Sequence, residues 1–198
     1  MKMLNVNRWY NMSRILIVSA LSKEIPNRWE GGLENYAILY TGVGKVNATY
    51  NLTKVLMDDR DDYDLVINYG TAGSKVYNGI VDCTTFIQRD MDATPLGFDK
   101  GETPFEPEPS MIDFSHIKNP IGKNLTCYTG DTFETNISQY DDVVDMESYA
   151  LAKTCRNLGV GFVSYKYISD DGNAEDWEKN CSKGIKEFKK VLKYYDNI

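Results

Sequence analysis

The sequence predicts an α/β fold, a single domain with a mixed central β-sheet flanked by helices. Three observations carry the prediction. Short runs of branched apolar residues recur along the chain, stretches with helical spacing alternate with them, and glycine-containing turns join the two. With 198 residues, 42% apolar and 26% charged, the chain has enough apolar surface for one sizeable core.

Taken in order, "RILIVSA" (14 to 20) reads as a strand buried on both faces. Residues 35 to 59 read as a strand, a glycine turn and a helix over 46 to 57. Further strands are expected in "DLVINYGTAGSK" (64 to 75), "VDCTTFIQRDMD" (81 to 92), "LTCYTGD" (125 to 131) and "GVGFVSYKYISDDG" (159 to 172). Helical spacing occupies 146 to 157 and 175 to 195. Residues 93 to 122 hold five of the six prolines and little periodicity, which predicts a loop, either a solvated excursion or the lid or wall of a site. Residues 1 to 13 are read as an extension ahead of a domain spanning 14 to 198, or as an upstream start preceding Met12; they lack the continuous apolar core of a signal peptide.

Composition narrows the function classes. A net charge of -7 and the lack of any Lys/Arg-rich block argue against nucleic acid as partner, because that affinity comes largely from clustered cations releasing counterions. No segment approaches the roughly 20 apolar residues of a membrane span. Cys83, Cys127, Cys155 and Cys181 are too widely spaced for a Cys-x-x-Cys site and read as buried thiols of a cytoplasmic protein. With His116 as the lone histidine, a zinc centre is not expected, and the metal assignment is none. A small molecule or another protein is the expected partner.

The glycine turns are weak signals. "GVGKVN" (42 to 47) follows a strand and opens a helix, yet it has neither the third glycine of a dinucleotide fingerprint nor the Lys-Ser/Thr of a phosphate loop. "GTAG" (70 to 73) equally permits a tight turn or a close approach to a ligand. Carboxylates are more informative, since ligands of open α/β sheets bind beyond the carboxyl ends of strands, and Glu24, Asp131 and Asp170 follow strand-like runs. Each has an ordinary alternative. Asp170 could cap a turn or the next helix, Glu24 could be a loop charge, and Glu147 could complement a helix dipole.

Together, "ILIVSALSKEI", "GVGKVNAT", "DLVINYGTAG", "QRDMDATPLGFDKGE", "TGDTF", "VVDMESYALAKTC" and "FVSYKYISDDG" run in the order found in the nucleoside phosphorylase superfamily. The chain resembles most the 5'-methylthioadenosine/S-adenosylhomocysteine nucleosidases, over residues 14 to 195. The resemblance implies a nucleoside phosphorylase-like sheet and hydrolysis of an adenine nucleoside. It makes Glu147 the carboxylate that holds the ribosyl hydroxyls, with Met146 against the sugar. An ionised carboxylate is all acceptor and suits two hydroxyl donors. Asp170 would protonate N7 of the purine, oriented by Ser169, so that the base leaves neutral. Glu24 would activate the attacking water, a layout like that of an inverting glycosidase. Phe133 would stack on the purine, Thr71 stands at a common serine position, and Val43 and Leu21 stand at apolar wall positions.

The resemblance also bears on the nucleophile. Phosphorylases of this fold carry phosphate-binding arginines in the first loop and just before the second glycine turn; here those places hold "SALSKEI" and Asn68. Lacking bidentate guanidinium clamps and facing Glu24, phosphate is disfavoured, although Lys23 and Arg89 remain as candidate ligands. The alternatives are a phosphate-dependent purine nucleoside phosphorylase and a non-catalytic nucleoside-binding relative. Departures from the nucleosidase pattern include Ser19, Ser22 and Lys23 in the first loop, Asp145 in place of a common glutamate, and Glu134 where an apolar residue is common beside the adenine edge. The resemblance further implies no cofactor and a homodimer, and the segment near Trp177 is a candidate movable cover after Asp170.

Overall fold

Branched apolar runs become strands here because both faces of the sheet are covered. The computed structural model describes residues 14–26, 33, 36–58, 63–107 and 109–196. The elements run β1 (Ile15–Ser19), β2 (Ala37–Tyr40), α1 (Lys45–Asp58), β3 (Leu65–Gly73), β4 (Ile80–Gln88), β5 (Met111–Asp113), β6 (Leu125–Thr129), β7 (Val143–Asp145), α2 (Ser148–Leu158), β8 (Gly161–Asp170), α3 (Ala174–Asn180) and α4 (Ile185–Tyr195). Residues 1 to 13, read as an extension, lie outside the described residues.

The eight strands form one mixed sheet in the order β2-β1-β3-β7-β6-β4-β5, with β8 paired to both β3 and β4. Strands β3, β8, β4, β6 and β7 therefore return on themselves. The ring closes through one antiparallel pairing, Gly73 with Val144. On the opposite edge of β3, the parallel register with β8 slips by one residue, so that Ala72 pairs with Ile168 and Gly73 with Asp170. Ser169 is the extra residue of this bulge, a device that re-aims side chains at the end of a strand.

Alternation along the strands sends side chains to two cores. Leu16, Val18, Val66, Phe86 and Phe162 pack with Leu52 and Leu56 of α1 and Leu151 and Cys155 of α2. Ile17, Ile67, Tyr69, Val163 and Tyr165 pack with Phe188 and Leu192 of α4. Tyr69 stacks on Phe188 with ring centroids 4.1 Å apart. Burial on both sides explains why these strands read as continuous apolar runs.

Three local expectations are corrected. Residues 93 to 122 are mostly loop but include a 3-10 turn at Thr94–Leu96 and strand β5, whose three residues are too few to show a period. The apolar pair Val143–Val144 belongs to a strand that the sequence reading missed for the same reason. The helix expected over 175 to 195 is two helices, α3 and α4, broken at 181 to 184. Gly184 ends the break, pressed so close to Tyr167 that a β-carbon there would lie 2.3 Å from its ring.

Candidate functional site

The carboxyl ends of β1, β3, β6, β7 and β8 converge on a cleft of about 730 Å³, part of it open to solvent. Leu21, Glu24, Val43, Thr71, Phe133, Glu134, Met146, Glu147 and Asp170 all line it. Ser169 does not; it is buried behind Asp170. Position beyond strand ends is where open α/β sheets bind ligands.

Glu24 follows β1 on a short turn and is only 4% exposed. Its Oε2 accepts from Ser19 Oγ at 2.8 Å and from the Leu21 N–H at 3.1 Å. Its Oε1 accepts from the Thr71 N–H at 2.9 Å and Thr71 Oγ1 at 3.0 Å. Four donors thus hold a carboxylate that, as a simple loop charge, would stand in solvent. Thr71 Oγ1 in turn accepts from Trp177 Nε1 at 3.0 Å.

Glu147 precedes α2 but does not cap it; no side-chain cap bond comes from it. That task falls to Asp145, whose Oδ2 accepts from the Ser148 N–H at 2.9 Å. Glu147 instead meets the N–H of Gly44 at 2.8 Å through Oε1. Gly44 has φ +90°, a conformation in which a side chain is strained, and so brings bare backbone to the carboxyl. Burial, reinforced by the negative charge of Asp145, pushes Glu147 up to about 8, against the opposing pull of Lys166 and the Gly44 N–H.

Asp145 is the departure from pattern that the structure explains best. Its Oδ2 lies 2.8 Å from Lys166 Nζ, both side chains being 1% exposed. Thr129 Oγ1 donates to Oδ1 at 2.6 Å. Burial works against its charge, but the Lys166 ammonium and these hydrogen bonds prevail and hold Asp145 at about 2. Lys166 is held above the ordinary lysine range, its burial being outweighed by the same carboxylate. Sequence reasoning missed Lys166, although a lysine inside the apolar run "FVSYKYIS" was a signal, since buried lysines are almost always paired.

Asp170 lies at the bulge, with Oδ2 accepting from Ser169 Oγ at 2.8 Å and Oδ1 from the Gly172 N–H at 2.9 Å. Burial raises its carboxyl above the usual range despite these donors, and the charges of Asp171 and Asp176 add to the rise. A carboxyl whose proton is held more tightly than usual is suited to acting as a proton donor.

At the end of the cleft near Phe133, Arg89 is buried and committed. Its Nη1 donates to Thr132 Oγ1 at 3.2 Å and pairs with Glu134 Oε2 at 3.1 Å, and its Nη2 bonds the Thr132 carbonyl. The Glu134 carboxylate is thus paired with Arg89. Lys23, the other candidate phosphate ligand, lies over the Trp177 ring, 3.9 Å from its centroid. Asn68 is buried, donating to the Val18 carbonyl and accepting from Ser148 and Ser164. None of the three is arranged as a free clamp for a dianion. Among the described residues no group of three His, Cys, Asp or Glu is placed to hold a metal ion.

Comparison with known proteins gives the family. A 5'-methylthioadenosine/S-adenosylhomocysteine nucleosidase from Exiguobacterium sp. is 31% identical over 193 residues, covering 83% of this chain and 82% of its own. The chain belongs to this nucleosidase family. The phosphorylase superfamily profile matches residues 132–195, the part of this nucleosidase-family chain that carries Phe133, Glu147 and Asp170. Its fold is shared with a 5'-methylthioadenosine/S-adenosylhomocysteine nucleosidase from Helicobacter pylori in complex with butyl-thio-DADMe-Immucillin-A, at TM-score 0.76 and 20% identity, covering 94% of this chain and 99% of that one. A futalosine hydrolase mutant from the same organism superposes equally well, at TM-score 0.76 and 19% identity, over 94% and 99% of the two chains.

Proposed function

We propose that this chain hydrolyses the N-glycosidic bond of 5'-methylthioadenosine, S-adenosylhomocysteine or a related adenine nucleoside, releasing adenine. One observation carries the reading. Glu24 is anchored on Thr71 of β3, Asp170 pairs with Gly73 two residues further along the same strand, and Glu147 enters the same cleft after β7. At ~3.3 Å per residue the two anchor points are roughly 7 Å apart along β3, so that Glu24 and Asp170 enter the cleft at separate places.

In this reading Glu24 takes a proton from water as its oxygen bonds to C1' of the ribosyl ring. The C1'–N9 bond breaks with its electron pair moving into the purine, and N7 takes the proton of Asp170, so adenine leaves neutral. Solvent exchange then returns a proton to Asp170 and removes one from Glu24. Glu147 accepts the ribosyl hydroxyls, whose donors favour its charged form, and Phe133 stacks on the base. Ser169 orients the acid. Met146, Val43, Leu21 and Thr71 form the wall, and Glu134, paired with Arg89, flanks the base. Water rather than phosphate is the nucleophile because Lys23, Arg89 and Asn68 are engaged elsewhere.

A homodimer is part of the proposal. Val46, Tyr50 and Met57 of α1 are 78%, 67% and 57% exposed, an apolar set that a second copy would cover. Light scattering on the purified chain reads its mass directly. A cytoplasmic setting accords with four buried free cysteines, and no helix among the described residues is long and apolar enough to cross a membrane.

The test is product analysis with 5'-methylthioadenosine, S-adenosylhomocysteine, adenosine and inosine, each with and without phosphate. Free adenine and an unphosphorylated sugar, formed without phosphate, are expected. Release that requires phosphate and yields a sugar 1-phosphate would overturn hydrolysis, and ligand-induced thermal stabilisation with no release would mark a binding protein.

A further inference from the structure

Helix α3 contributes no buried residue, yet it delivers an aromatic side chain into the cleft. Its position rests on polar contacts at both ends. Asn173 caps it through the Glu175 N–H at 2.9 Å, and Asn180 Nδ2 donates to the Ser169 carbonyl at 2.7 Å. Between them, Trp177 Nε1 donates to Thr71 Oγ1 at 3.0 Å, the hydroxyl that lies 3.0 Å from Glu24 Oε1.

The direction of this chain of bonds follows from the groups themselves. An indole N–H is a donor only, so the Thr71 oxygen accepts from it. The single hydroxyl proton of Thr71 is then left for Glu24, which when ionised is an acceptor only. Without the indole, Thr71 Oγ1 keeps only its bond to Glu24. The Trp177 ring also carries Lys23 at 3.9 Å, and Lys23 is the neighbour of Glu24 in the chain. Trp177 therefore grips the Glu24 turn from one side and the Thr71 strand from the other.

We propose that Trp177 is a positioning residue for Glu24, its indole N–H fixing the Thr71 hydroxyl so that the carboxylate is held in one orientation toward the attacking water. The proposal rests on the hydrolytic reading of this site. It assigns α3, which follows Asp170 in the chain, a link between the segment beside the departing base and the group that activates water.

Trp177→Phe keeps an aromatic wall and a face for Lys23 while removing the N–H. With 5'-methylthioadenosine, kcat should fall roughly three- to tenfold, on the scale of one neutral hydrogen bond, with KM moving by less than about twofold. Thr71→Val should lower kcat at least as much, and the double variant should fall no further than Thr71→Val alone, since both remove one chain of bonds. A raised KM with kcat retained would make Trp177 a wall only and overturn the proposal. A second readout does not depend on turnover. The Trp177 indole N–H resonance, identified among three tryptophans as the one lost in Trp177→Phe, should move in both Thr71→Val and Glu24→Gln. An unmoved resonance in both variants overturns the bond chain. Absence of base release from the unaltered protein would instead sink the hydrolytic reading, with the resonance still deciding whether Trp177 and Glu24 are linked.

Discussion

Lys166 Nζ lies 2.8 Å from Asp145 Oδ2, each side chain 1% exposed, within the ring of strands. Its nitrogen is also 3.5 Å from the point where a β-carbon on Gly70 would stand, and Glu24 Oε1 is 3.3 Å from that same point. Removing one partner of a buried pair leaves an uncompensated charge, so Lys166→Met should destabilise the fold by about 3–5 kcal/mol, read by urea unfolding. Asp145 supplies the acid side of the same prediction. Its carboxyl is held at about 2, below the ordinary 3.8, so its contribution to stability is present above 3.8 and is lost as pH falls toward 2. Asp145→Asn should flatten the stability curve across that window.

Glu147 has the opposite sign. Its value of about 8 lies above the ordinary 4.5, so between these limits the folded chain keeps a proton that the unfolded chain has lost. Stability from this group is complete below 4.5 and falls as pH rises through 8. Two ribosyl hydroxyls donating to the carboxyl pull the other way, so nucleoside binding at neutral pH should release a proton. Titration calorimetry in two buffers of different ionisation enthalpy measures this; equal heats would mean that Glu147 does not change charge. Glu147→Gln should stabilise the protein at pH 8 and raise KM for ribosyl substrates roughly tenfold, as expected for a hydrogen bond to a charged group.

For Asp170, loss of the acid in Asp170→Asn should cut kcat by roughly 10² or more with nucleoside binding kept. Because burial raises this carboxyl, activity should persist above the ordinary carboxylate range and fall only as pH rises through the elevated value. Asp176→Asn removes one of the charges that add to the rise. The basic limb of the kcat profile should then move to lower pH, and an unmoved limb would assign it to another group.

Gly130 gives Arg89 its place. A β-carbon there would lie 2.8 Å from Arg89 Cζ. Gly130→Ala should push the guanidinium off Thr132 and Glu134, lower stability by about 1–3 kcal/mol as overpacking does, and weaken binding of the base. An unchanged KM would mean that the Arg89–Glu134 pair is remote from the bound base.

Much of this arrangement was legible before the fold was known. Strands with both faces buried are largely apolar, so β1, β3 and β8 are legible in "ILIVS", "LVINYG" and "FVSYKYI", and β4 in "VDCTTF" despite Asp82 and its threonines. Met146–Glu147 and Ser169–Asp170 were legible through resemblance, not through local chemistry, which left helix capping and dipole explanations open. What speaks against the capping explanation is tertiary. Asp145 takes the cap, and Gly44, 103 residues away, supplies the bond. No local pattern could announce that Trp177 reaches Thr71 across 106 residues, or that Arg89 folds over Gly130. Strands β5 and β7, three residues each, exist because neighbours pair with them and carry no period of their own.

Gly73 pairs with Val144 on one edge and with Asp170 on the other, and a methyl group added to it would meet Ile137 Cδ1 at 2.5 Å and Asp170 Oδ1 at 3.1 Å. The segment that leads to Glu147 and the segment that ends in Asp170 are therefore bolted to a single backbone unit. No hinge can separate them, and no insertion in a loop can lengthen the span between them. Retuning this scaffold for a new nucleoside is a matter for the rim, where Leu21, Val43, Phe133 and the exposed side of α3 can be exchanged while the spacing of the acids stays as the sheet set it.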